Sequence, residues 1–521
     1  MRSNRVVIIG AGIGGLAAAI DLAVSGADVV VLEAAEGPGG KMRAVDVDGV
    51  ALDGGPTVLT MRETFDDLFA DANAALIDYV TLKPLTVLAR HAWSDGEKLD
   101  LFADIEQSAR AIGAFAGATE ARGFLEFTRR SREIFEALDS SFMHAQRPSP
   151  VSLVTAAGLR GLGQLTRISP FSTMWKALGR FFRDPRLRQL FARYATYCGS
   201  SPFDAPATLM LVAHAEQKGV WVVEGGMRRL ADALALIACE RGAVMRYGCG
   251  VAEIVTSHGR ASGVRLSSGD VLPADAIVSN GDVAALACGL LGHAVNRAVR
   301  TTPRAARSLS ALTWLIDAKT HGFPLLHHSI FFSRDYRAEF DDIFGHGRLP
   351  RDPTIYVCAQ DRDDAPNQPL RDRERLLCLV NAPPIGDHHS FSISELEQCR
   401  NRTFHRLQSC GLRIELSSAS MRTVTPTDFN RLYPGTGGAL YGRTSHGWMA
   451  SFQRPGARSR IPGLYLAGGS THPGPGIPMA ATSGRLAAKA VIADLASTRR
   501  SNPMAMRGGM STRSATTAST D

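Results

Sequence analysis

Several chemistries are missing from this chain. Its eight cysteines (Cys198, Cys239, Cys249, Cys288, Cys358, Cys378, Cys399 and Cys410) are scattered and form no C-x-x-C pair. That argues against a zinc or iron–sulfur site and against a disulfide framework. Isolated thiols fit a reducing cytosol. No serine stands in a G-x-S-x-G context, so the nucleophile elbow of a serine hydrolase is lacking. The adjacent pairs His327–His328 and His388–His389 suit metal ligation poorly without further ligands, and no metal is expected. Outside "VVIIGAGIGGLAAAI" no run of 18 or more residues is apolar and uncharged, so no membrane-spanning helix is expected. That segment carries glycines and leads to the acidic "LEAAE", so it reads as a βαβ start rather than a secretory signal. A net charge of +8 and a pI near 9.2 are basic but unconcentrated, which excludes the footprint of a nucleic-acid binder.

With 521 residues, 45% hydrophobic and 21% charged, the chain is globular and long enough for two or more domains. "RVVII" (5–9) and "DVVVLE" (28–33) are predicted strands flanking a helix at 14–25. Short strands are expected over 43–52. Helices are expected at 62–80 and 103–140, with largely helical structure at 150–197. "VWVV" (220–223) precedes a helix beginning in "EGGMRRL". The segment 243–280 reads as four short strands ending in the buried "AIVSN". "LYLAG" (464–468) is the final parallel strand and 480–496 the final helix. The predicted class is α/β. Nucleotide-type pieces at 1–95, 205–300 and 456–496 would form one discontinuous domain. Insertions at 96–204 and 301–455 would form a mixed α+β second domain, and 497–521 a disordered tail.

"GAGIGG" places Gly10, Gly12 and Gly15, with Gly14 between, directly after a strand and at a helix start. Gly10 permits the tight turn, Gly12 lets a pyrophosphate approach, and Gly15 lets helix and strand pack closely. The phosphate would meet free N–H groups at the helix N-terminus. Glu33 closes the next strand, where a carboxylate can hold ribose hydroxyls and disfavours a 2′-phosphate. FAD or NAD is therefore expected rather than NADP. "GPGGKMR" (37–43) and "DGGPTVLT" (53–60) offer a second close backbone approach, with Lys41 and Arg43 toward phosphate or ribityl oxygens. A second strand–loop–helix, "GLYLAGGSTHPGPGIPMAATSGRLAAKAV" (463–491), repeats the outline about 450 residues later.

These segments, with "RYATYCGSSPFDAPATL" (193–209), "GVWVVEGGMRRLADAL" (219–234) and "FFSRDYRAEFDDIF" (331–344), resemble the FAD-dependent carotenoid desaturases of the bacterial phytoene-desaturase type. Those enzymes lie within the wider amine-oxidase-like flavoproteins. The likeness runs over nearly all of residues 5–495. Within it, 437–480 is most similar to the hydroxyneurosporene or methoxyneurosporene desaturase branch, which acts at the 3,4 bond of 1-hydroxycarotenoids. Met479 stands where phytoene desaturases carry glycine.

The resemblance implies a Rossmann-type FAD-binding domain contacted by Gly10, Gly12, Gly14, Gly15, Glu33, Gly40, Lys41 and the turn Gly55, Pro56 and Thr57. It implies that Val251 meets the adenine through its backbone, and that Gly468, Gly469, Ile477, Pro478 and Met479 lie against the flavin. The C-terminal motif is then the far wall of the same site, which favours FAD over NAD.

The implied substrate is an acyclic carotenoid, and the implied electron acceptor is oxygen or a quinone. Desaturation removes a hydride, which a flavin accepts, and a proton. The proton acceptor would be a positioned acid–base group or water; the side-chain candidates are His472 and His446, for which a loop-holding role is at least as strong a reading. The basic–aromatic stretch 159–194 has two readings: a helical layer of the substrate domain whose arginines reach out to water, or an interfacial helix that dips into the surface of the inner membrane from the cytoplasm, which the resemblance favours because a carotenoid cannot diffuse through water. Two alternatives stay open: a phytoene desaturase or carotenoid isomerase of the same family, and a non-catalytic lipid carrier on the same fold.

Overall fold

The computed structural model describes residues 4–94, 96–146, 148–149, 171–362 and 372–501. Expectations for 150–170, and for the tail beyond 501, lie outside these residues. Two sheets organise the chain. The first is parallel throughout, in the order Leu464–Leu466, Ala276–Ser279, Arg5–Ile9, Asp28–Leu32, Val244–Arg246. Four of its strands are buried on both faces, as a parallel sheet requires, whereas the edge strand Val244–Arg246 is largely exposed. In Arg5–Ile9, Val6 and Ile8 pack under the helices Ile13–Val24, Arg228–Glu240 and Ile477–Ser501. Val7 and Ile9 face the other way, against the antiparallel strands Val251–Ser257 and Arg260–Leu266.

The second sheet has seven strands, in the order Met421–Val424, Ser310–Ala318, Glu374–Ala382, Ile355–Ala359, His328–Phe331, Val87–Ala92, Lys98–Phe102. Period-2 alternation sorts its side chains. Leu312, Trp314 and Ile316 pack with Cys399 and Leu407 of the helix Ile393–Ser409, whereas Ala311 and Leu315 pack on the hairpin residues Val45 and Leu52. The helices Ile105–Ala116, Ala118–Leu138 and Pro185–Ala192 form a cap whose phenylalanines interlock, with Phe182 and Phe191 stacked at 4.7 Å.

Several boundaries differ from expectation. The helix at 62–80 stops at Asp71, because Asn73 turns to φ +53° and closes the C-terminus. The helix at 103–140 is broken at Gly117, φ +98°. The segment 243–280 holds five strands rather than the four expected: Val244–Arg246 and Ala276–Ser279 join the parallel sheet, and the three between them form a separate meander. The hairpin Val87–Phe102 belongs to the seven-stranded sheet and straddles the expected boundary at 95. The last helix continues through Ser501, past the expected tail start at 497.

In the basic–aromatic stretch, Met174, Leu178 and Phe182 are core rather than interfacial. Arg188 lies over the Trp175 ring at 4.4 Å.

Candidate functional site

The first strand ends in Gly10 at φ +96°, a conformation costly for any side chain. The Gly10 N–H donates to the Leu32 carbonyl at 2.7 Å. The helix that follows starts from Gly12 with no side-chain cap, so its first N–H groups remain available to an anion. A Cβ on Gly15 would lie 2.2 Å from the Gly10 carbonyl oxygen, the close helix–strand approach read from the motif.

A Cβ on Gly12 would lie 2.6 Å from Asn280 Oδ1. Asn280, which sequence reading passed over, follows the neighbouring strand Ala276–Ser279 and donates its N–H to the Ile9 carbonyl at 2.8 Å. Its amide also abuts Gly14 and Gly468, where added Cβ atoms would come within 2.8 and 2.9 Å of Nδ2. One signal pointed to it: a polar residue at the carboxyl end of a parallel strand beside the glycine turn. Gly14 thus serves packing, between Asn280, Gly468 and Ala480.

Glu33 holds the turn from the other side. Its Oε2 accepts from the Ala11 N–H at 2.7 Å and its Oε1 from the Ala35 N–H at 2.9 Å. The Cys249 N–H donates to the Glu33 carbonyl at 2.7 Å, which brings the strand starting at Val251 alongside. The 37–43 loop leans on the same turn. The Gly39 N–H donates to the Ala11 carbonyl at 2.8 Å, and a Cβ on Gly40 would meet Gly12 Cα at 3.3 Å.

Lys41 Nζ donates to the Leu440 carbonyl at 2.5 Å and sits 5.2 Å from the Tyr433 ring centre. Burial lowers its pKa, opposed by Asp282 and assisted by Arg454. Arg43 Nε and Nη2 are buried without a hydrogen-bond partner among the described residues. The Gly55 turn touches this loop so closely that a Cβ would lie 1.8 Å from the Lys41 carbonyl oxygen. Beyond Pro56, Thr57 Oγ1 is 2.6 Å from Tyr356 OH, which is 2.7 Å from His328 Nδ1.

The C-terminal motif comes to the same place. Gly468, φ +114°, donates its N–H to Ser483 Oγ at 2.7 Å. A Cβ on Gly484 would lie 2.0 Å from the Gly14 carbonyl oxygen, so the first and last helices cross backbone to backbone. Ile477 and Pro478 open the last helix, and Met479 packs beside Met61 and Met143. Arg454, also missed in sequence, braces the loop: Nη1 donates to the Tyr441 and Gly469 carbonyls at 3.0 and 3.2 Å, and Nη2 to Arg443 at 2.6 Å. Burial lowers it to about 10.

The two candidate histidines differ. His446 Nε2 accepts the Ser201 N–H at 2.9 Å, which ties down a loop. His472 is 3% exposed, packs edge-on to Phe142 at 4.9 Å, and has no hydrogen-bond partner on either ring nitrogen among the described residues. Burial pulls it to about 4, with the Phe142 and Ala145 backbone pulling the other way.

Burial pushes Cys198 up to about 11 and Tyr441 up to about 12, and it raises Tyr197 and Tyr356 as well. All four nonetheless keep partial accessible area. Arg193 Nη2 donates to Tyr197 OH at 3.1 Å, and Tyr197 OH donates to Glu216 at 2.9 Å.

An uncapped helix start, two side-chain-free turns and the unpartnered Arg43 donors suit a dinucleotide with two phosphates. The family described as flavin containing amine oxidoreductase matches residues 13–492. The chain belongs to that family, and its cofactor is FAD. It is 55% identical to a hydroxyneurosporene desaturase of Rubrivivax gelatinosus, over 99% of this chain and 98% of that one. It is 47% identical to a hydroxyneurosporene desaturase of Cereibacter sphaeroides, over 95% and 99%. Among solved structures, an oxidoreductase from Methanosarcina mazei shares the fold at TM-score 0.58 and 17% identity, covering 94% of this chain and all of that one.

Proposed function

We propose that this protein is an FAD-dependent carotenoid desaturase that dehydrogenates the C3–C4 bond of acyclic 1-hydroxy or 1-methoxy carotenoids. The observation that carries the reading is 55% identity to a hydroxyneurosporene desaturase along the whole chain. The uncapped helix start and the side-chain-free glycine turns support it.

The FAD would be held by Gly10, Gly12, Gly15 and Glu33 at the adenine-side pyrophosphate and ribose, with Val251 beside the adenine. Gly40, Lys41, Arg43 and the Gly55–Thr57 turn would flank the middle of the cofactor. Gly468, Gly469 and the 477–479 helix start would lie at the flavin end. When bound, FAD supplies the hydride acceptor.

The chain's own work is to orient the polyene and keep water out. Neither histidine is a good general base: His446 spends Nε2 on Ser201, and a pKa near 4 leaves His472 too weak to hold a proton at neutral pH. Electrons would leave to oxygen or a quinone. A peripheral position on the cytoplasmic side of the inner membrane is supported by two exposed aromatics. Phe171 is 80% and Trp448 45% exposed, with ring centres 5.4 Å apart. No helix among the described residues is long and apolar enough to cross a membrane.

The test is to incubate FAD-loaded protein separately with 1-hydroxyneurosporene and with phytoene, and to follow lengthening of the chromophore. Conversion of phytoene alone overturns the substrate assignment.

A further inference from the structure

We propose that the Thr57–Tyr356–His328 chain, ending in His328 Nε2, anchors the terminal hydroxyl of the carotenoid; this rests on the desaturase reading above. The three groups form one hydrogen-bonded line: Thr57 Oγ1 to Tyr356 OH at 2.6 Å, and Tyr356 OH to His328 Nδ1 at 2.7 Å. The line starts in the Gly55–Thr57 turn, which in the reading above flanks the cofactor. It ends in an imidazole that is 4% exposed and whose Nε2 has no hydrogen-bond partner among the described residues. A buried polar atom left unpaired is costly, and a polyene cannot satisfy it. The only polar atom on the proposed substrate is the oxygen on C1. C1 lies two bonds from C3, roughly 2.5 Å away. The group that holds the oxygen must therefore lie close to the reacting bond, and the line ties His328 to a turn that flanks the cofactor.

The imidazole is suited to an alcohol rather than an anion. Burial, His327 and Arg193 all push its pKa well below the ordinary value, so it is neutral. In either neutral tautomer one nitrogen donates and the other accepts. A hydroxyl can meet Nε2 in both cases.

A metal ion is the rival occupant, because His327, His328 and Cys358 place ligand atoms within 4.8 Å of one another. The neighbouring pair is already satisfied without one. His327 Nδ1 donates to the Arg362 carbonyl at 2.6 Å, and its Nε2 faces Cys358 Sγ at 3.7 Å. Burial pushes the Cys358 thiol up to about 12, so it keeps the proton that His327 Nε2 accepts.

The experiment compares wild type, His328→Leu and Tyr356→Phe, each as the full FAD-loaded chain in detergent. Affinities for 1-hydroxyneurosporene and for neurosporene, which lacks the oxygen, are read by flavin fluorescence. Metal content is measured on the same samples. The expected result is a wild-type preference of tenfold or more for the hydroxylated carotenoid. His328→Leu should abolish that preference and leave neurosporene affinity unchanged. Tyr356→Phe, which removes one hydroxyl, should weaken it and serves if His328→Leu does not fold. An unchanged preference in these variants overturns the anchor while wild-type conversion leaves the desaturase reading standing. Stoichiometric zinc in wild type that is lost in His328→Leu overturns it in favour of a metal site. Failure of wild type to bind or convert the hydroxylated carotenoid removes both readings.

Discussion

Gly469→Val separates the cofactor site from the fold. An added Cβ at Gly469 would find only Pro475 Cα, at 3.7 Å, which is ordinary van der Waals contact. Gly469 is absent from the positive-φ glycines, so a side chain meets no backbone strain there. The apoprotein should therefore stay within about 0.5 kcal/mol of wild type. The branched side chain must instead fill space assigned to the flavin. FAD affinity should fall by ~100-fold or more, which is ~2.8 kcal/mol at ~1.4 kcal/mol per tenfold.

Gly15→Ala is the contrast. Its Cβ would lie 2.2 Å from the Gly10 carbonyl oxygen, so the backbone must shift, at a cost of ~1–3 kcal/mol or more before any cofactor binds. The assays are FAD titration of apoprotein by fluorescence quenching and urea unfolding of the same samples. Wild-type FAD affinity in Gly469→Val would refute the placement of the C-terminal loop. A loss of apoprotein stability equal to that of Gly15→Ala would refute the claim that the space at 469 is open.

Arg43→Leu should weaken FAD binding by ~10-fold or more, because charge-assisted hydrogen bonds to phosphate are lost. The apoprotein should be no less stable, because two buried donors lack partners; titration and urea unfolding check both arms. Gly484→Ala should destabilise the protein by ~1–3 kcal/mol through the clash with the Gly14 carbonyl, read in urea.

The His472 pKa is depressed from 6.5 to about 4. Between those values the unfolded chain binds the proton and the folded chain does not, so its contribution is lost as pH falls from about 6.5 toward 4. The full shift corresponds to roughly 3 kcal/mol. Subtracting the stability–pH curve of His472→Asn from that of wild type should isolate this slope, and parallel curves would sink the assignment.

The glycine spacing, Glu33 and the β-branched runs made the parallel sheet and its turn legible, because each depends on residues within about 30 positions. Residues 463–491 were likewise readable as strand, loop and helix. Their meeting with the first turn is made by backbone contact between Gly14 and Gly484, 470 positions apart, and by the Asn280 amide wedged between the two turns. No local pattern encodes either contact. Arg454 and the Tyr356–His328 pair were invisible for the same reason. Their roles come from carbonyls and hydroxyls delivered by other strands, and Arg454 looks like any surface arginine until burial removes its water. The helix at 62–80 was overextended because apolar spacing continues past Asn73, whose left-handed backbone ends it. By itself, then, the sequence determined the class of cofactor turn and the elements that carry it. Tertiary structure alone decided which polar groups are stranded in the interior, because a donor is unsatisfied only once packing has excluded water and every other partner.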